Sequence, residues 1–90
     1  MDNFTVARRL TEHARKLDGH EGNLFRIRAY RRAAQIIMGL DRSVKEMIEE
    51  SGSAALESLP GIGSHLAYTI EHLVSTGEFL TYEEARARSA

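Results

Sequence analysis

Pro60 is the only proline in the 90-residue chain, and it sits in the string Leu59-Pro60-Gly61-Ile62-Gly63. Few strings constrain a short chain more. Proline cannot continue a helix that precedes it. Two glycines separated by one residue allow a turn too tight for most side chains. Apolar residues flank the turn at helical spacing, Leu56 and Leu59 before it and Leu66, Ala67 and Ile70 after it. The string predicts two helices joined by a sharp hairpin over residues 53–75 or so. In this reading Pro60 ends the first helix, and Gly61 and Gly63 take backbone angles closed to other residues. Ile62 buries the tip, and Ser64 caps the second helix.

The rest of the chain carries helical periodicity as well. Val6, Leu10, Ala14 and Leu17 mark a first helix over Asn3 to Leu17, capped by Asp2 or Asn3 and ended by the glycine-bearing stretch Asp18 to Gly22. Asn23 is placed to cap a second helix that runs to Gly39, with Phe25, Ala29, Ala33, Ile36, Ile37 and Leu40 as its apolar stripe. At about 100° per residue, Arg28, Arg31 and Arg32 fall opposite that stripe, whereas Arg26 projects beside Tyr30 near its edge. Ser43 and Glu46 form one capping-box pattern and Thr81 and Glu84 another. A short helix from Ser53 to Ser58 buries Ala54, Ala55 and Leu56. No segment alternates as a strand does. The expected class is all-α, a single domain over residues 1–90 with four or five helices and a short helical tail.

Composition narrows the function classes. No cysteine is present, which excludes disulfides, thiolate zinc sites and cysteine nucleophiles. No apolar run approaches the roughly 18 residues of a membrane span, so a cytoplasmic location is expected, on the nucleoid if the source is bacterial. Net charge is only −1, but it is unevenly spread. Residues 1–45 carry ten basic side chains against five acidic, and residues 46–90 carry two against eight. The basic half can face an anionic partner.

A hairpin of this pattern turns its backbone N–H groups outward at a helix N-terminus, which suits a phosphate. It is the helix-hairpin-helix signature. Such a motif touches phosphates rather than bases, so binding is expected to be sequence-independent. The expected contacts are the backbone around Gly61, Gly63, Ser64 and His65.

Three strings, taken together, carry a more specific likeness: Asn23-Leu24-Phe25-Arg26-Ile27-Arg28-Ala29-Tyr30-Arg31-Arg32-Ala33-Ala34, then Leu59 to Gly63, then Ser75-Thr76-Gly77-Glu78-Phe79. In order and spacing they resemble the N-terminal domain of bacterial family X DNA polymerases and, more distantly, that of polymerase beta. The resemblance implies binding of gapped or 5′-phosphorylated DNA, with Arg26, His65 and Tyr30 at the phosphate pocket, where Arg26, Tyr30 and Arg31 are expected to hold a second phosphate. It implies a monovalent cation, Na⁺ or K⁺, on the carbonyls of Glu57, Leu59 and Ile62, and no other cofactor. It also implies a polymerase catalytic domain as partner, in cis or in trans.

The lyase chemistry known in polymerase beta needs a lysine amine in the second hairpin helix. The matching position here is Thr69, whose hydroxyl cannot form an imine. The chain is therefore expected not to be an enzyme by itself, since it also lacks the paired carboxylates of nucleotidyl transfer. Two other readings stand beside DNA binding: a protein-interaction module that has lost DNA affinity, and a residual 5′-deoxyribose-phosphate lyase.

Overall fold

The computed structural model describes residues 1–17 and 23–89. The stretch 18–22, expected to end the first helix, lies outside the described residues, as does Ala90. Six helices follow one another among the described residues, and no strand occurs there. They are α1 (Asn3–Leu17), α2 (Leu24–Met38), α3 (Val44–Ser51), α4 (Ser53–Glu57), α5 (Ser64–Thr76) and α6 (Tyr82–Ser89). None is long and apolar enough to cross a membrane.

α1 and α2 make the most extensive helix contact in the chain. Val6, Ala7, Leu10 and Ala14 form the buried side of α1. The buried side of α2 is Ile27, Tyr30, Ala33, Ala34 and Ile37. This corrects the expected stripe, because Phe25 is 83% exposed and Ala29 only half-buried. α2 carries apolar residues most of the way round, so periodicity alone allows two stripes, and α1 covers the one containing Ile27. Small side chains at Ala7, Ala14, Ala33 and Ala34 let the two backbones come close.

Helix ends follow local chemistry with some exceptions. Asp2 accepts from the Thr5 N–H at 2.8 Å and caps α1. Asn23 precedes α2 but makes no side-chain cap, because its backbone (φ −97°, ψ 4°) is turned in rather than extended. Ser43 accepts from the Glu46 N–H at 3.4 Å. The Thr81–Glu84 box closes in both directions, with Glu84 N–H donating to Thr81 Oγ1 at 3.1 Å and Thr81 N–H donating to Glu84 Oε1 at 3.3 Å. Gly77 ends α5 at φ 78°, donating its N–H to the Leu73 carbonyl.

Asn3 makes a long-range tie. Its side-chain amide donates to the Arg42 carbonyl at 2.7 Å, and its oxygen accepts from the Val44 N–H at 2.8 Å. The start of α1 thereby caps the start of α3, some forty residues away in sequence. Leu56, Ile62, Ala67, Ile70 and Leu73 complete the core from the hairpin side. Each fully buried leucine there contributes about 1.5–3 kcal/mol relative to exposure. Ala54 is exposed, contrary to expectation, since α4 is too short to bury more than Leu56.

Candidate nucleic-acid interface

The hairpin runs from α4 to α5 through one tight turn. The Ile62 N–H donates to the Leu59 carbonyl at 3.1 Å. Pro60 takes the first central position and Gly61, at φ 97°, the second, as a type II turn requires. Gly61 also lies against α2. A Cβ built there would come within 2.9 Å of Ile36 Cδ1 and 3.2 Å of Arg32 Cδ. Both expected reasons for glycine hold at this position.

Neither holds at Gly63. Its backbone is ordinary extended chain (φ −87°, ψ −176°), and a Cβ built on it would meet nothing within 4 Å. Gly63, not Ser64, is the residue that precedes α5, and it has no side chain with which to cap. Ser64 is the first helical residue, so its expected capping role is corrected. Among the described residues, nothing accepts from the N–H groups of Ser64, His65 and Leu66. An open glycine thus stands before three free donors at the positive end of a helix dipole.

These donors border a cavity of about 480 Å³ between α2, α5 and the first turn of α6. Gly61, Gly63, Ser64 and His65 line it from the hairpin side, and Arg26 and Tyr30 from α2. Arg31 does not reach it. It lies on the far flank of α2, in a separate groove against α1 with Arg8, Arg15, Phe4 and Met38. The cation that α2 brings to the cavity beside Arg26 is Arg32, which sequence reasoning missed. A signal existed: Arg32 is seven residues after Phe25, hence on the same flank, and Phe25 also lines the cavity. The expectation that Phe25 enters the core and that Arg32 falls opposite it is corrected on both counts: seven residues bring the two to within about 20° of each other, on a flank that faces the cavity.

Tyr30 is buried against an aromatic cluster. Its ring meets the edge of His13 at 4.7 Å between centroids and lies 5.9 Å from Phe79, which stacks on His13 at 4.3 Å. Burial, with the Glu83 carboxylate nearby, pushes the Tyr30 phenol up to about 12, so it keeps its proton as a hydrogen-bond donor. Thr69, the position that matches the lyase lysine, is only 1% exposed and lines the same cavity. Its hydroxyl is satisfied by donating to the His65 carbonyl at 3.1 Å, which permits burial.

A carboxylate is the other unexpected member. Glu83 of α6 lines the cavity, with one oxygen 3.6 Å from Arg26 Nη2 and 3.8 Å from His65 Nδ1. The His65 ring stacks on Tyr82 at 4.0 Å. On the hairpin, the Leu59 carbonyl is engaged by Ile62, whereas no described N–H donates to the carbonyls of Glu57 or Ile62.

Among the described residues, the cavity gathers free N–H groups, two arginines and a histidine, a set of donors that suits an anion. No curated protein and no solved structure matches the chain. The helix-hairpin-helix domain family matches residues 1–79, ending just before α6. Domains of this type generally bind DNA without sequence specificity. The match covers most of the chain, and the chain belongs to the helix-hairpin-helix domain family.

Proposed function

We propose that this domain binds DNA without sequence preference, through phosphate contacts in the α2–α5 cavity. Its finer role in this reading is recognition of a 5′-phosphate at a gap, for a polymerase catalytic domain in cis or in trans, as the resemblance to family X polymerases implies. One observation carries the proposal. Three free N–H groups at the start of α5 converge with Arg26, Arg32 and His65 on one cavity, and Gly63 leaves the approach open. Helix N-termini and arginines are the two commonest means of holding a phosphate. The carbonyls of Glu57, Leu59 and Ile62 would hold Na⁺ or K⁺, which supplies positive charge toward a DNA phosphate. With few contacts, affinity is expected at ~10⁻⁴–10⁻⁶ M at physiological salt.

The chain acts here as a binding domain rather than a lyase. Neither of its two lysines, Lys16 and Lys45, lines the cavity, and Thr69 supplies no amine. The groove between α1 and α2 favours a second reading, a protein-interaction module. Phe4 and Met38 stand there 62% and 53% exposed beside Arg8, Arg15 and Arg31.

Binding to one-nucleotide-gapped DNA, with and without a 5′-phosphate and across a salt series, separates these readings. The expected result is tighter binding of the phosphorylated gap, falling steeply with salt. Arg26→Ala is expected to remove the phosphate preference, and Arg31→Ala to keep it. Equal affinity for both gaps would refute the 5′-phosphate role. No DNA binding at low salt, with salt-insensitive association through the α1–α2 groove, would support the interaction module instead.

A further inference from the structure

The phosphate cavity already contains an anion, the Glu83 side chain. A single oxygen, Oε1, lies between Arg26 Nη2 (3.6 Å) and His65 Nδ1 (3.8 Å), the two side chains that would otherwise turn to a phosphate. Tyr82, the residue before it, stacks over the His65 ring at 4.0 Å and holds that ring against α6. We propose that α6 is a built-in competitor for the phosphate cavity, with Glu83 occupying the place of a phosphate oxygen until DNA displaces it. This rests on the DNA-binding reading above.

Three further observations fit displacement rather than permanent structure. No residue of α6 is buried, and beyond the Tyr82 contacts with His65 and Tyr68 the helix carries no apolar side to hold it down. Its attachment is local: Leu80 and Thr81 are buried just before it, so α6 can swing from a fixed base. The contacts to Glu83 are long and half-exposed, with Arg26 and Glu83 side chains 52% and 45% accessible. Such ion pairs are weak, so a phosphate carrying more charge and more acceptor oxygens can replace the carboxylate. The family match covers residues 1–79 and so does not include α6.

The facing groups set what a variant should do. Arg26 and His65 approach Glu83 from α2 and α5, and Glu84, the next residue, is occupied in the Thr81 cap. Glu83→Gln removes the competing charge while leaving that cap intact, so α6 should still form. Glu49→Gln on α3 makes the same change in net charge away from the cavity and serves as control.

The experiment is an NMR titration of the full chain with inorganic phosphate at constant ionic strength, reading the Ser64–Leu66 amides for the anion and the Tyr82–Ser89 amides for α6. In the unsubstituted chain, both sets should move with one midpoint. Glu83→Gln should bring the Ser64–Leu66 midpoint to about two- to five-fold lower phosphate, the factor set by one weak ion pair, and Glu49→Gln should not. The same order is expected for gapped DNA with a 5′-phosphate. Unchanged midpoints in Glu83→Gln, with Ser64–Leu66 still responding, would overturn the competitor and leave the DNA reading standing. No response at Ser64–Leu66 in any variant would overturn both.

Discussion

Gly61 and Gly63 are two residues apart in one turn, and alanine is expected to have opposite consequences at the two positions. At Gly61 the backbone stands at φ 97°, where an L side chain is strained by about 1–2 kcal/mol. The added methyl also displaces Ile36 Cδ1 and the Arg32 stem. Both are flexible side chains, so that repacking adds about 1 kcal/mol at most. The stiffer unfolded chain returns about 0.4–1 kcal/mol. The net loss is about 1–2 kcal/mol, or a fall in Tm of roughly 5–15 °C for a domain of this size.

At Gly63 the backbone is unstrained and a methyl meets no atom. There the gain from the unfolded chain is offset by alanine's poorer N-capping, so stability should change by less than about 0.5 kcal/mol. Yet the methyl stands before the free donors of α5. Losing one charge-assisted hydrogen bond to a phosphate, about 1.5–3 kcal/mol, should weaken DNA binding about tenfold or more. Gly63→Ser sharpens the contrast: a capping hydroxyl should stabilise the fold by a few tenths of a kcal/mol while taking a donor from the ligand. Thermal melts and a fluorescence binding titration on the same samples measure both quantities. If Gly63→Ala melts as low as Gly61→Ala, or binds DNA as the unsubstituted domain does, the reasoning about the open glycine is wrong.

Two further outcomes concern stability. Asn3→Ala removes both bonds to Arg42 and Val44 and should cost about 1–3 kcal/mol, read as a lower urea midpoint; a midpoint equal to that of the unsubstituted chain would show the tie to be idle. His13 is held below its ordinary value of 6.5 by burial, with Glu84 opposing and Lys16 and Arg26 reinforcing. The unfolded chain therefore takes up a proton first, and stability present above pH 6.5 is lost as pH falls through 6.5 toward the folded pKa. His13→Phe, which keeps a ring on Phe79, should lose less stability between pH 7.5 and 5.5 than the unsubstituted chain, both measured by urea unfolding.

Much of the fold was legible because it is local. The bounds of α1 and the Thr81–Glu84 box both follow from residues within one or two turns of each other. The turn at Pro60 was legible for the same reason. What failed depends on where distant chain returns. Nothing within α2 says whether the Phe25 side or the Ile27 side meets α1. That one ambiguity sent Phe25 to the core and paired Arg31 with Arg26, although Arg32 shares the cavity. Gly63 was misread because two glycines in one turn suggest one reason for both, whereas only Gly61 is pressed by α2. Glu83 was illegible because its role comes from α6 folding back over a cavity built by two other helices.

The tie at Asn3 also implies an order of assembly. A chain is made from its N-terminus, and α1 and α2, neighbours in sequence, can pair through the short-range contacts that form fastest. α3 and α4, of eight and five residues, are below the ~12 residues at which an isolated helix becomes even marginal. They need a surface to form on. For α3 the first pair provides an anchor, with Asn3 positioned to receive Arg42 and Val44, whereas α4 packs between α3 and α5. The N-terminal helices would thus seat the start of α3 first, with α4 and the hairpin taking shape after it.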